Sequence, residues 1–90
     1  MGWGSGSEIA RGMMEVIDAL TIVDGQKIVI YIGMIKVLRE HDWDTEDDVT
    51  LESKCFDRAL FLTDPEYFGN EEYIIKHKGK AWMQFIKTGK

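Results

Sequence analysis

Seven of the sixteen carboxylates in this 90-residue chain stand between Glu40 and Glu52, with no Lys or Arg among them. Three chemistries use so dense an acidic run: divalent-cation coordination, metal-assisted hydrolysis, and electrostatic capture of a basic partner. A calcium loop opening at Asp42 would put Asp42, Asp44, Glu46 and Asp48 at its first, third, fifth and seventh positions, with Val49 at the apolar eighth. It fails at two decisive positions, because Asp47 stands where the sharp turn requires Gly and Ser53 where a bidentate Glu belongs. Glu52-Ser53-Lys54 with Asp44 or Asp47 upstream has the acids and lysine of a metal-dependent nuclease, but the strands expected to carry them are absent. No metal site and no cofactor is expected. Capture of a basic partner remains: a carboxylate patch around one large aromatic is steered toward a basic groove, and Trp43 is the type of side chain that anchors interfaces. The expected partner-binding residues are Asp42, Trp43, Asp44, Glu46, Asp47, Asp48 and Glu52. Trp43 also reads as core, wedged between a second and a third helix, and the acids as a helix N-terminal cap favoured by the dipole.

The second cluster is basic. Lys76, Lys78, Lys80, Lys87 and Lys90 interleave with Tyr73, Trp82 and Phe85, and no acid follows Tyr73. The net charge of -5 therefore divides into about -10 before Tyr73 and about +5 after it. Alternating bases and aromatics suit a single-stranded nucleic-acid platform, for which Lys76, Lys78, Lys80, Trp82 and Lys87 are the candidates. A lysine edge that discourages strand pairing accounts for the same residues. An acidic chain is otherwise a poor general nucleic-acid binder, since phosphate affinity comes from counterions displaced by Lys and Arg.

Nothing else offers a reaction. His41 and His77 share no ligand spacing, and no nucleophile–base pair or phosphate loop is present. Cys55, the single cysteine, excludes an internal disulfide and reads as a buried small hydrophobe. The chain is expected not to be an enzyme. Its apolar runs are far short of the roughly 20 residues that span a bilayer, and no signal-peptide pattern opens it, so cytoplasm is the expected location.

The elements that must position these residues follow from periodicity. Residues 1–7 are glycine-rich and read as a flexible start in which Trp3 is either free or docked. Ser5 or Ser7 caps a first helix carrying Ile9, Met13, Val16, Ile17 and Leu20, which Gly12 weakens. Asp24-Gly25 breaks it. Ile28, Tyr31, Ile32, Ile35 and Leu38 then share one face of a second helix running to about Glu40, with Asp24 as its cap. Thr45 with Asp48 opens a third helix carrying Val49, Phe56, Ala59 and Leu60 and ending near Leu62. Asp64-Pro65-Glu66 starts a short helical turn closed by Gly69. Tyr73–Lys76 and Ala81–Ile86 flank His77-Lys78-Gly79-Lys80 and read as a β-hairpin. The expected class is α+β, mainly helical, with three main helices and a C-terminal β-hairpin packed on them. One domain covers 1–90: flexible 1–7, helical 8–62, a turn at 64–69 and a hairpin at 73–87.

The opening Met1-Gly2-Trp3-Gly4-Ser5-Gly6-Ser7, with Asp42-Trp43-Asp44-Thr45 and the acids just beyond, resembles a group of small uncharacterised proteins of bacteriophages and prophages. The resemblance covers residues 1–50 and does not extend to the tail from Tyr73. It transfers no activity; what it implies is a phage-type context, in which small proteins act by binding host machinery. The expected function is thus a non-catalytic protein-binding module, with a host enzyme or phage assembly component as partner. The alternatives are a nucleic-acid-associated protein using the lysine-rich tail, and a self-associating structural protein whose acidic half meets that tail, as in a homodimer.

Overall fold

The computed structural model describes residues 5–41, 43, 49–68 and 70–90. Five α-helices and one 3-10 turn follow one another: α1 (Ser5–Asp18), α2 (Asp24–Glu40), α3 (Lys54–Thr63), the turn Pro65–Phe68, α4 (Glu71–Lys78) and α5 (Lys80–Thr88). The body measures 33 × 31 × 18 Å. With helix axes 8–10 Å apart, that shortest dimension holds two helix layers and not three.

No strand occurs among the described residues, so the described structure is all-α and the expected α+β class with a hairpin is corrected. Local signals over 70–88 explain why helix wins. Asn70 accepts the Tyr73 N–H on its side-chain oxygen at 3.1 Å; Glu71 and Glu72 occupy the first turn of α4, and Lys76, His77 and Lys78 the last. Both charge placements complement the helix dipole. The residue read as a hairpin turn, Gly79, instead ends α4 and starts α5 at once, with φ of +95°. A side chain there would be strained, so glycine makes a one-residue corner between helices possible. In α5, Trp82, Met83, Phe85 and Ile86 then face the core at helical spacing.

The second helix has the expected bounds, and Ile28, Tyr31, Ile35 and Leu38 are buried along it with Met34. Asp24 is not its cap. Val23 holds that position without a side-chain bond, and Asp24 sits inside the first turn, where Lys54 pairs with it at 3.7 Å. The first helix opens at Ser5, so Gly6 and Ser7 are buried helix rather than flexible leader. The third helix begins at Lys54, not Thr45: residues 49–53 are not α-helical, and Ser53 caps Lys54–Thr63 by accepting the Phe56 N–H at 3.3 Å. Thr45 and Asp48, like Trp3 and Gly69, lie outside the described residues.

The core gathers on the α2–α3 contact. Phe56 meets Tyr31 edge-on, with centroids 5.3 Å apart, and Trp43 at a tilt, 6.3 Å away. The Tyr31 hydroxyl donates to Asp18 Oδ1 at 2.7 Å, which fixes the end of α1 on the middle of α2. Burial, helped by this acceptor, pushes the phenol well above its ordinary range. Arg58 reaches from α3 to the carbonyls of Ile86 and Lys87 at 2.9 and 2.7 Å, satisfying the C-terminal end of α5. None of the helices among the described residues is long and apolar enough to cross a membrane.

Candidate functional site

The acidic candidates separate under the structure. Asp42, Asp44, Glu46, Asp47 and Asp48 lie outside the described residues. Trp43 is buried, 2% exposed, in a socket that the backbone builds. Leu38 O accepts from the N–H groups of both His41 and Trp43, turning the chain back over the end of α2. The indole N–H donates to Ser7 Oγ at 3.1 Å, and a Cβ at Gly6 would sit 2.5 Å from the ring, so α1 lies flat on it. Trp43 therefore belongs to the core and presents no exposed anchor. Glu52 is taken up by Arg11 in a two-pronged pair at 2.9 Å, which holds its carboxyl below the ordinary value of 4.5.

The lysine candidates sit on α4 and α5, not on strands. Lys76, Lys78, Lys80 and Lys87 are exposed. Lys87 pairs with Glu71 at 2.6 Å, and Lys78 lies over the Trp82 ring, 4.9 Å from its centroid. Trp82 itself is half-buried, and its indole N–H donates to Asp57 Oδ2 at 2.7 Å. The tail thus spends its aromatic and part of its charge on holding helices together.

Asp57 is the group that sequence reasoning missed. It is completely buried on α3. The Leu51 N–H donates to both of its oxygens at 3.0 and 3.2 Å, and the Trp82 indole to one. Leu51 stands in the left-handed region, φ +64°, which a branched side chain rarely adopts, and the carboxylate pins it there. Burial pushes the acid from 3.8 up to about 6, opposed by the Trp82 and Leu51 donors and by Lys78, and reinforced by Glu52. A readable signal existed: on a helix wheel Asp57 falls between Ser53 and Phe61, about 60° from Leu60 at the edge of the apolar side. Cys55 is buried, and desolvation raises its thiol to about 11, so it is no ready nucleophile. Among the described residues no three His, Cys, Asp or Glu side chains come together in a way that could hold a metal ion.

What remains open on this surface is apolar. Among the described residues ten large hydrophobic side chains are exposed, and eight belong to α1, α2 or the connection between them: Ile9, Met13, Val16, Leu20, Val23, Val29, Ile30 and Val37. Two shallow apolar depressions lie there, one lined by Ile9, Gly12, Met13, Val16 and Ile17, the other by Ile22, Val23, Gln26, Val29 and Ile30. The helix spacing that predicts α1 also creates this face. Ala10, Met14 and Ile17 turn into the core, while Ile9, Met13, Val16 and Leu20 follow one another at steps of four, three and four residues along the flank. Such an arrangement offers burial to another apolar surface and no reacting group. No family model matches this chain, and no curated protein or solved structure matches it either.

Proposed function

We propose that this protein is a non-catalytic binding module for proteins, with the outer apolar surface of α1 and α2 as its contact. One observation carries the reading: of the ten large hydrophobic residues exposed among the described ones, eight are concentrated in this stretch of the chain. Single exposed apolar residues are ordinary, whereas a concentration of them marks a surface that water does not cover in the working state. The candidates for chemistry are otherwise engaged, since the oxygens of Asp57 already accept and Cys55 is buried as a thiol. The acids of the Asp42–Asp48 run add negative charge to the chain and would speed encounter with a basic partner surface. A phage-type origin, a cytoplasmic location and a partner among host or assembly proteins extend this proposal.

The test is capture of a tagged copy, co-expressed with an untagged copy in bacteria, with nuclease added and retained chains identified by mass spectrometry. Wild type is expected to hold a nuclease-resistant protein, foreign or its own untagged copy, and Val16→Glu with Val23→Glu to lose it. The Asp44/Asp47/Asp48→Asn variant is expected to retain it, with slower association at low salt. Unchanged retention by the Glu variants would remove the apolar face from the function. Recovery of nuclease-sensitive material alone would move it to the lysines of α4 and α5.

A further inference from the structure

We infer that the occupant of the α1–α2 apolar face is a second copy of this chain, packed as a two-fold dimer with α1 against α1 and Gly12 at the crossing. The inference rests on the proposed role of that face and specifies its partner.

Area is the first argument. Eight side chains that are 38–68% exposed leave on the order of 700 Å² per protomer. A standard stable interface takes about 800 Å² from each partner, and the largest apolar patch on a typical monomer is about 300–600 Å². Summed over both depressions and the residues around them, the exposed apolar area is thus close to dimer size. The described residues supply two helix layers, so none of the described elements is left to cover the outward side of α1 and α2.

The second argument is the glycine in the stripe. Gly12 sits in mid-helix, where glycine is less favourable than alanine by about 1 kcal/mol. A Cβ built on it meets nothing within 4 Å, so packing inside the monomer does not require its smallness. It forms one wall of the depression shared by Ile9, Met13 and Val16. A bare backbone spot between large apolar residues lets a second helix approach closely, its own Val16 and Met13 filling the hollow.

Symmetry is the third. A two-fold contact sets a surface against itself, so it must not repel itself. Glu8, Arg11, Glu15 and Asp18, the charged residues of α1, fall off the Ile9–Met13–Val16–Leu20 stripe, and Arg11 and Asp18 are already bonded to Glu52 and Tyr31. The stripe is neutral, and within α1 its steps of four and three residues, from Ile9 through Met13 to Val16, are those with which two helices interdigitate, while Glu8 and Glu15 flank Gly12 at the rim of the crossing.

Sedimentation equilibrium of the purified full chain, in reductant and at about 1 to 100 μM, decides the matter. The wild type is expected to reach twice the 10.4 kDa chain mass within that range. Val16→Glu and Gly12→Leu are each expected to weaken the dimer at least tenfold while keeping the wild-type helical circular dichroism. Val16 is 64% exposed and a side chain at Gly12 meets open space, so neither change disturbs the monomer's core. A wild type that stays monomeric at the top concentration overturns the inference, as does a dimer that both variants leave intact. Failure of the parent reading looks different: there the Glu variants also leave captured proteins unchanged, whereas a monomeric wild type whose foreign partner is lost with Val16→Glu keeps the face and discards only the second copy.

Discussion

The α3–α5 end of the molecule and the α1–α2 end solve opposite problems. At the first, a fully buried carboxylate accepts from a loop amide and an indole, Arg58 closes the last carbonyls of α5, and Lys54 lies over the Phe85 ring, 4.7 Å from its centroid. Among the described residues beyond α2, two large apolar residues are exposed, Leu62 and Tyr73, and the latter stacks on His77 with centroids 4.3 Å apart. At the second, polar bonds also cross between elements, from Tyr31 and Lys27 to Asp18 and from Trp43 to Ser7, but most of the exposed hydrophobic surface among the described residues collects there. Of the charged residues that draw the eye in the sequence, Glu52, Lys78 and Lys87 are occupied in holding elements together. The part that the proposed function gives to a partner is the apolar one.

Breaking the polar end should have the largest effect. Asp57→Ala leaves the Leu51 and Trp82 N–H groups without acceptors, each orphan costing about 1–3 kcal/mol, partly offset because no carboxylate is then desolvated. A net loss of about 2–4 kcal/mol, or on the order of 10–20 °C in Tm, is expected by thermal denaturation. A loss below about 0.5 kcal/mol would deny Asp57 its role in fastening the loop.

The pH dependence of stability sharpens the same point. The folded state raises the Asp57 pKa from 3.8 to about 6, so it binds the proton more tightly than the unfolded chain does. Stability from this group is therefore greatest in acid, falls as pH rises from about 4 through about 6, and is flat above. The full change is up to about 3 kcal/mol for a displacement from 3.8 to about 6. Glu52 acts in the other direction: Arg11 depresses its pKa, and that contribution is lost as pH falls below 4.5. Urea unfolding at pH 5 and pH 7 should find the wild type more stable at the lower value, and Asp57→Asn should flatten the difference. A wild type that is less stable at pH 5 would mean that Asp57 is not the dominant titrating group.

The two ends also differ in how legible they were. Four turns of apolar periodicity marked Asp24–Glu40, because a helix that buries one stripe writes that stripe into its sequence. The tail misled because Tyr73-Ile74-Ile75 and the aromatics of Ala81–Ile86 fit a pleated surface by residue type, while the turn contained Gly79. The overriding signals, Asn70 as cap and acids before bases along α4, are weaker per residue and were outweighed. Trp43 could be placed only with tertiary knowledge: its socket is Gly6 and Ser7, far away in sequence. Asp57 was hidden because a buried acid is rare, and its partners Leu51 and Trp82 come from a loop and from the last helix. The exposed apolar face was hidden differently, since each of its residues looked like ordinary core.

Two glycines of α1 set the comparison in its smallest form. Gly6 is pressed on the Trp43 ring, where an added Cβ would stand 2.5 Å from Cδ1 and 2.9 Å from Cγ. Gly6→Ala must shift a buried indole and should cost about 1–3 kcal/mol. Gly12 faces open space, so Gly12→Ala meets no such neighbour and gains helix propensity. At concentrations low enough to leave the chain monomeric, it should stabilise by about 0.5–1 kcal/mol, visible as a higher Tm. The same methyl, six positions apart on one helix, is thus expected to have opposite signs. Raising the protein concentration then separates propensity from contact. If α1 pairs with α1 at Gly12, the wild type should gain Tm with concentration faster than Gly12→Ala does, because the methyl holds the helices apart. Equal concentration dependence would leave Gly12→Ala a plain propensity gain and place the crossing point elsewhere on the face.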